Sequence, residues 1–264
     1  MPTGDSSLDL QRPLMGLATL VTLFGLLSAA CIDHTNSVKD KPSVTVERRT
    51  LARSVQGRPI ECIALGDGSD VVLIMATIHG DEDAGTPLVD RLIVHLQERP
   101  ELLEGRRVIL MPNVNPDGMA HQSRYNARGV DLNRNFPADN YNNGGNHGKR
   151  PLSEPESAAI HALLDRERPN RIVSIHQPLN YGSACIDYDG PAEPLARAMG
   201  EHTDIPVKRI GSRPGSLGSY AGVTLQVPII TLELPKEAKG ESGTSLWEKY
   251  GRMMLASVVF PEKP

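Results

Sequence analysis

The stretch VVLIMATIHGDE, residues 71–82, is an uninterrupted aliphatic run that ends abruptly on an imidazole and a group of acids. A short, β-branched-rich run of this kind reads as a strand buried on both faces. Two further runs share its form: RIVSIH (171–176) ends on His176, and PIITLEL (228–234) carries Glu233. In open α/β sheets, ligands bind in the crevice beyond the carboxyl ends of the strands. Three strands that deliver an imidazole, a second imidazole and a carboxylate to one edge therefore predict a metal-centred hydrolytic site.

His79 and Glu82 stand three residues apart where strand gives way to helix, a spacing that puts both side chains on one face of a turn. Asp81, Glu82 and Asp83 would also suit the positive end of a helix, so the pair alone does not make a metal site. His176 supplies the third ligand. Two histidines and a glutamate with one open position are a ligand set of catalytic zinc, whereas structural zinc fills all four positions, usually with cysteine. Glu233 lies among Ile229, Ile230, Leu232 and Leu234, where burial without a partner would cost several kcal/mol. It must face a polar cavity or a cation, as a general base beside an activated water would. The remaining histidines (34, 95, 121, 147, 161 and 202) fall in polar loops or on helix surfaces and read as solvated bystanders. In SRYNARGVDLNRNFP (123–137), Arg124, Asn133 and Arg134 offer guanidinium and amide groups suited to a substrate carboxylate.

The rest of the chain alternates strand and helix signals. VTVERRTL, RPIECIAL and RRVILMP read as strands, the last closed by the turn chemistry of Asn115-Pro116-Asp117-Gly118. Leu88, Leu92 and Leu96 mark a helix from about Asp83 to Leu96, and further helices are expected over 154–165, 193–201 and 244–259. The irregular stretch 119–152 is too long for an idle connection and reads as a functional loop. These elements predict a single α/β domain over 44–264 with a central mixed, mostly parallel twisted sheet flanked by helices.

A chain of 264 residues, 39% hydrophobic, is long enough to bury a full core. Its formal net charge of -4 excludes the basic surface that non-specific nucleic-acid binding requires. Only three cysteines occur, which rules out a disulfide framework, and Cys62 and Cys185 are expected as free thiols.

Residues 14–32, LMGLATLVTLFGLLSAACI, are apolar and uncharged, and a charged stretch follows them. Residues 1–32 read as a signal peptide or membrane anchor and 33–43 as a linker. Ser28-Ala29-Ala30 before Cys31 resembles a bacterial lipoprotein acylation site, so an exported, envelope-bound protein with its catalytic domain in the periplasm is expected.

Taken in order, IHGDE, NPDG, GVDLNRNFP, SIH and TLEL resemble the zinc metallocarboxypeptidases of the carboxypeptidase A clan, over nearly all of the chain from Ser43 onward. The resemblance implies a carboxypeptidase A-like fold and one zinc ion held by His79, Glu82 and His176. It makes Glu233 the general acid/base and Arg124 the oxyanion stabiliser, with Arg128 close by. Asn133 and Arg134 become the clamp on the substrate's terminal carboxylate. HQPLN, IDYDGPAE and PGSLGSYAG look like the bacterial murein peptide amidase branch. That branch implies a small murein tripeptide-like substrate cut at its γ-D-glutamyl to meso-diaminopimelate amide. By position, Ser216 and Leu217 would line the side-chain pocket, and Asp187 or Asp189 would meet the diaminopimelate amine. The tyrosine that larger carboxypeptidases bring over the substrate has no counterpart, and Tyr220 is not assigned that role. An N-acyl-amino-acid deacylase of the same clan, or a catalytically idle module that binds cell-wall peptides, are the competing readings.

Overall fold

In the computed structural model, residues 44–178 and 182–261 are described, and all of them belong to the unit spanning 42–264. The segment 1–32, Cys31 within it and the linker 33–43 lie outside the described residues.

Seven strands form one sheet: β1 (Val46–Arg53), β2 (Pro59–Leu65), β3 (Asp70–Ala76), β4 (Arg106–Met111), β5 (Arg171–His176), β6 (Cys185–Asp189) and β7 (Ile229–Glu233), in the order β1-β2-β4-β3-β5-β7-β6. The four central strands β4, β3, β5 and β7 run parallel, while β2 and β6 run against them. Helices cover both faces: α1 (Gly85–Glu98), α4 (Glu193–Gly200) and α5 (Gly243–Val259) on one, α3 (Pro155–Glu167) on the other. The two-sided cover explains the apolar runs. Val72 and Ile74 pack toward α1 and α5, and Leu73 and Met75 pack toward α3, so the interior positions of β3 are apolar on both faces. Leu88, Leu92 and Leu96 on α1 are fully buried against the sheet, as their four-residue spacing requires.

Three local expectations change. CIDYD, not foreseen as a strand, forms β6 at the sheet edge. Asn115-Pro116-Asp117-Gly118 is not a simple turn but opens the short helix α2 (Pro116–Ala120), with Asn115 Oδ1 accepting from the Gly118 N–H at 2.9 Å and proline in the first turn. Residues Gly218–Thr224, to which no element is assigned from the sequence, form a π-helical segment beside β6 and β7. Cys62 and Cys185 are buried free thiols.

Because β3, β5 and β7 are parallel, their carboxyl ends share one edge. There His176 pairs in register with Glu233, and Glu233 pairs with Cys185. His79 follows β3 by three residues.

Candidate active site

The route from β3 to His79 is set by Thr77, whose φ of 59° is costly for a β-branched residue. Its hydroxyl lies 2.8 Å from that of Thr86 at the start of α1, which holds the bend. Gly80 then passes so close to α2 that a Cβ would stand 1.9 Å from the Gly118 carbonyl carbon. The tight turn brings Glu82 back beside His79, with Oε1 2.9 Å from His79 Nδ1. Glu82 Oε2 lies 2.9 Å from Nδ1 of His176, at the end of β5, and 3.2 Å from the backbone nitrogen of Gln177.

The donor atoms of His79, Glu82 and His176 all lie within 4.8 Å of one another. Tetrahedral zinc with bonds of about 2.0–2.2 Å separates its ligand atoms by roughly 3.3–3.6 Å, so small side-chain shifts suffice to hold it. The rings are presented for that purpose. Each imidazole turns Nδ1 inward, while its outer nitrogen is engaged behind it: His79 Nε2 lies 3.1 Å from Asp131 Oδ1, and His176 Nε2 lies 3.1 Å from Ser174 Oγ. Tying the outer nitrogen fixes tautomer and orientation. The donor set and its backing fit a divalent metal of the zinc type.

Electrostatics point the same way. Burial by itself lowers the pKa of His79, but Glu82 and Asp131 outweigh it and push His79 up to about 9. Burial raises Glu82 and Asp131, yet the facing imidazoles, with Arg124 beside Asp131, hold both well below the usual carboxylate range. The carboxylates at this point are built to face positive charge.

Around this cluster opens a cleft of about 420 Å³, within the size range of small-ligand sites. Glu233 lines it, and its side chain hydrogen-bonds to no other described residue. Burial raises its pKa, with His176 opposing and Glu82 reinforcing, which suits a group that must take up a proton. Arg124 also lines the cleft, with Nη1 3.1 Å from Glu82 Oε1 and Nε 3.0 Å from Asp131 Oδ2. Arg128 instead points to Glu154 at 3.4 Å and is more than half exposed, so the position beside the cluster belongs to Arg124.

Asn133 and Arg134 sit on a single 3-10 turn, Leu132–Arg134, whose preceding Asp131 caps it by accepting from the Asn133 N–H at 3.0 Å. Asn133 Oδ1 accepts from the Leu217 N–H at 2.9 Å, which leaves its amide NH2 for the cleft. Arg134 lines the cleft, and burial depresses its pKa, with Asp131 opposing and the neighbouring guanidinium groups of Arg124 and Arg213 adding to the effect. It is a cation set among cations and open to an anion.

Ser216, Asp187 and Asp189 line the cleft, but Leu217, expected beside Ser216, does not. Its side chain is buried in the core with Phe136 and Ile229, and it serves the site only through its backbone N–H. Leu217 directly precedes the π-helical segment; its neighbours Ser216 and Gly218 line the cleft, while its own side chain points into the core. Tyr220 is likewise core, stacked with Phe136 and His161.

Three contributors escaped the sequence reading. Asp131 was in view inside GVDLNRNFP but had no partner until His79 was placed. Gln177 donates its N–H to Glu82 and accepts from the Ala84 N–H at 3.1 Å through Oε1, joining β5 to the start of α1. Arg213 lines the cleft from the connection after α4. Only the DLNR spacing could have pointed to Asp131, and nothing local marks the other two.

A two-histidine, one-carboxylate cluster with an unpaired glutamate beside it, on the carboxyl edge of an open α/β sheet, defines a metallohydrolase site. The zinc carboxypeptidase family model matches residues 32–194. Murein peptide amidase A of Escherichia coli strain K12 is 36% identical over 196 residues, covering 67% of this chain and 75% of that protein. The same-named protein of Vibrio campbellii is 31% identical over 216 residues, covering 74% and 82%. The crystal structure of murein-tripeptide amidase from Escherichia coli O157 superposes with a TM-score of 0.63 at 29% identity, covering 82% of this chain and 92% of that one. The chain belongs to the zinc carboxypeptidase family, and it is a peptidase or amidase with the carboxypeptidase A-like fold.

Proposed function

We propose that this enzyme is a zinc-dependent exo-acting amidase that cuts before a C-terminal residue with a free carboxylate, and that its substrate is the γ-D-glutamyl to meso-diaminopimelate amide of murein peptides. The observation that carries the reading is that Glu233 and the His79–Glu82–His176 cluster line one cleft together with Asn133, Arg134 and two aspartates. The murein peptide amidases among the relatives support the substrate, and so does the anionic pair Asp187 and Asp189, which offers a place for a side-chain amine.

His79, Glu82 and His176 would hold one zinc ion, which would supply a Lewis acid able to acidify the attacking water. Glu233 takes a proton from the attacking water and passes it to the leaving amine nitrogen. Arg124 donates to the oxygen on which negative charge develops. Asn133 through Nδ2 and Arg134 through its guanidinium hold the terminal carboxylate, so only a chain end reaches Glu233. The two outer partners, Asp131 and Ser174, keep the imidazoles in the ligating orientation.

The test is mass-spectrometric scoring of products from L-Ala-γ-D-Glu-meso-diaminopimelate, set against N-acetyl and N-succinyl amino acids, with zinc-loaded protein. Release of free diaminopimelate is expected. Turnover of the N-acyl amino acids alone would move the enzyme to deacylation, and no turnover of any of them would leave a binding module.

On the apolar segment 14–32 and Cys31, outside the described residues, the proposal extends to an exported protein held at the bacterial envelope. A Cys31→Ser variant that still takes up lipid label and partitions with membranes would defeat the lipoprotein version.

A further inference from the structure

Asp187 and Asp189 stand two residues apart on β6, and both line the cleft with Thr231 and Glu233 of the adjoining strand. Their carboxylates are not equivalent. Asp187 Oδ1 accepts backbone N–H groups from Tyr188 at 2.9 Å, Ile210 at 2.7 Å and Gly211 at 3.4 Å, so it anchors the loop that follows. Asp189 bonds Ser212 through both side chain and backbone, and its Oδ2 faces Gly218, where a Cβ would come within 2.6 Å. Having no side chain at 218 leaves that oxygen open to the cleft. Burial first and the neighbouring Asp187 second raise the pKa of Asp189, with Ser212 and the more distant charge of Arg209 opposing, so the carboxylate has room for a further cationic partner.

Arg213 follows Ser212 directly and lines the same cleft. Its side chain is exposed and pairs with no carboxylate among the described residues. It is close enough to Arg134 to depress that group's pKa. A ligand ending in an amine alone would satisfy Asp189 and leave Arg213, beside Arg134, without an anionic partner. A ligand ending in an amine and a carboxylate on one carbon would satisfy both, because Ser212 ties Asp189 to the loop that carries Arg213.

We propose that Arg213 is a specificity-determining residue that pairs with a carboxylate at the far end of the substrate's side chain while Asp189 takes the amine beside it, so that the pocket selects a zwitterionic terminus over a purely cationic one. This rests on the exo-acting amidase reading above and adds to it the chemical rule by which the leaving residue is chosen. Specificity here comes from an unpaired charge left behind by the wrong ligand as much as from the bond made to the right one.

The experiment compares kcat/KM of the zinc-loaded wild type, Arg213→Gln and Arg213→Lys on three peptides: L-Ala-γ-D-Glu-meso-diaminopimelate, the same peptide amidated at the distal carboxylate, and L-Ala-γ-D-Glu-L-Lys. The wild type should favour the first by tenfold or more over the other two. Arg213→Gln should lose roughly 10- to 100-fold on the first alone and change the others less than about twofold, and Arg213→Lys should recover part of the loss. Equal losses on all three peptides would make Arg213 a second grip on the α-carboxylate or a scaffold residue and would overturn the inference, as would a wild type that does not discriminate. Calorimetry of free meso-diaminopimelate and L-lysine against Glu233→Gln protein, with and without Arg213→Gln, separates this from the function itself. If no peptide is cut, the amidase reading fails; if diaminopimelate also binds no tighter than lysine, or its advantage survives loss of Arg213, this inference fails on its own.

Discussion

Asp131 Oδ1 lies 3.1 Å from His79 Nε2, on the side of the ring opposite Glu82. The carboxylate thereby fixes which nitrogen faces inward, and Arg124 and the backbone of Asn133 hold that carboxylate in turn. Asp131→Asn should lower zinc affinity by roughly 10- to 100-fold with little change in the fold. Competition titration against a chromogenic chelator measures it, and an unchanged dissociation constant would show that His79 needs no such orientation.

The same cluster sets a pH dependence in the metal-free protein. His79 has a folded pKa pushed up to about 9 from an ordinary 6.5, so its contribution to stability is complete below 6.5 and is lost as pH rises through about 9. Glu82 and Asp131 are shifted down, so theirs is present above their ordinary values of 4.5 and 3.8 and is lost as pH falls into the acid range. The melting temperature of chelator-treated protein should therefore decline between pH 6.5 and 9. Zinc affinity should rise over the same interval, because the metal must displace the proton on His79. Parallel, rather than opposite, trends would contradict the assignment.

Glu233→Gln should reduce kcat by roughly 10² to 10⁴, the range attributed to a positioned general base, while bound zinc stays at the wild-type level. Near-normal turnover with metal retained would remove Glu233 from the proton path.

Arg134→Ala should cost about 2–5 kcal/mol in kcat/KM on a peptide with a free C-terminus. Against the same peptide capped as the amide, wild type and variant should be nearly alike. An equal loss on both substrates would mean that Arg134 supports the loop and does not grip the carboxylate.

Gly80 lies against backbone, not against a flexible side chain: a Cβ there would stand 1.9 Å from the Gly118 carbonyl carbon and 2.2 Å from the Met119 nitrogen. Gly80→Ala should destabilise the protein by about 1–3 kcal/mol and weaken zinc binding, since the loop that carries His79 and Glu82 must move. Urea unfolding with and without metal reads both effects, and an unchanged midpoint would show that α2 can retreat.

What could be read in the chain followed from local physics. β3, β4, β5 and β7 announce themselves because burial on both faces demands continuous apolar residues, and α1 because Leu88, Leu92 and Leu96 repeat at one helical face. His79, Glu82, His176 and Glu233 were legible for the converse reason: polar groups at the ends of such runs are too costly to bury idly. β6 was not legible, because Asp187 and Asp189 interrupt its apolar pattern and their burial is balanced by a loop more than twenty residues later. Leu217 went astray because neither its spacing nor its chemistry says that the residue between Ser216 and Gly218 turns into the core.

By itself, then, the sequence determined the parallel core of the sheet, the helix beside it and which residues, His79, Glu82, His176 and Glu233, stand at the ends of its apolar runs, since each depends on neighbours a few residues away. Only the tertiary structure decided that Asp131 backs His79 across 52 residues, that Gln177 steadies Glu82 across 95, and that Arg124 and not Arg128 reaches the cluster. Those are relations between side chains brought together by strand order and loop closure, and a spacing along the chain carries no information about which distant partner a polar group will meet.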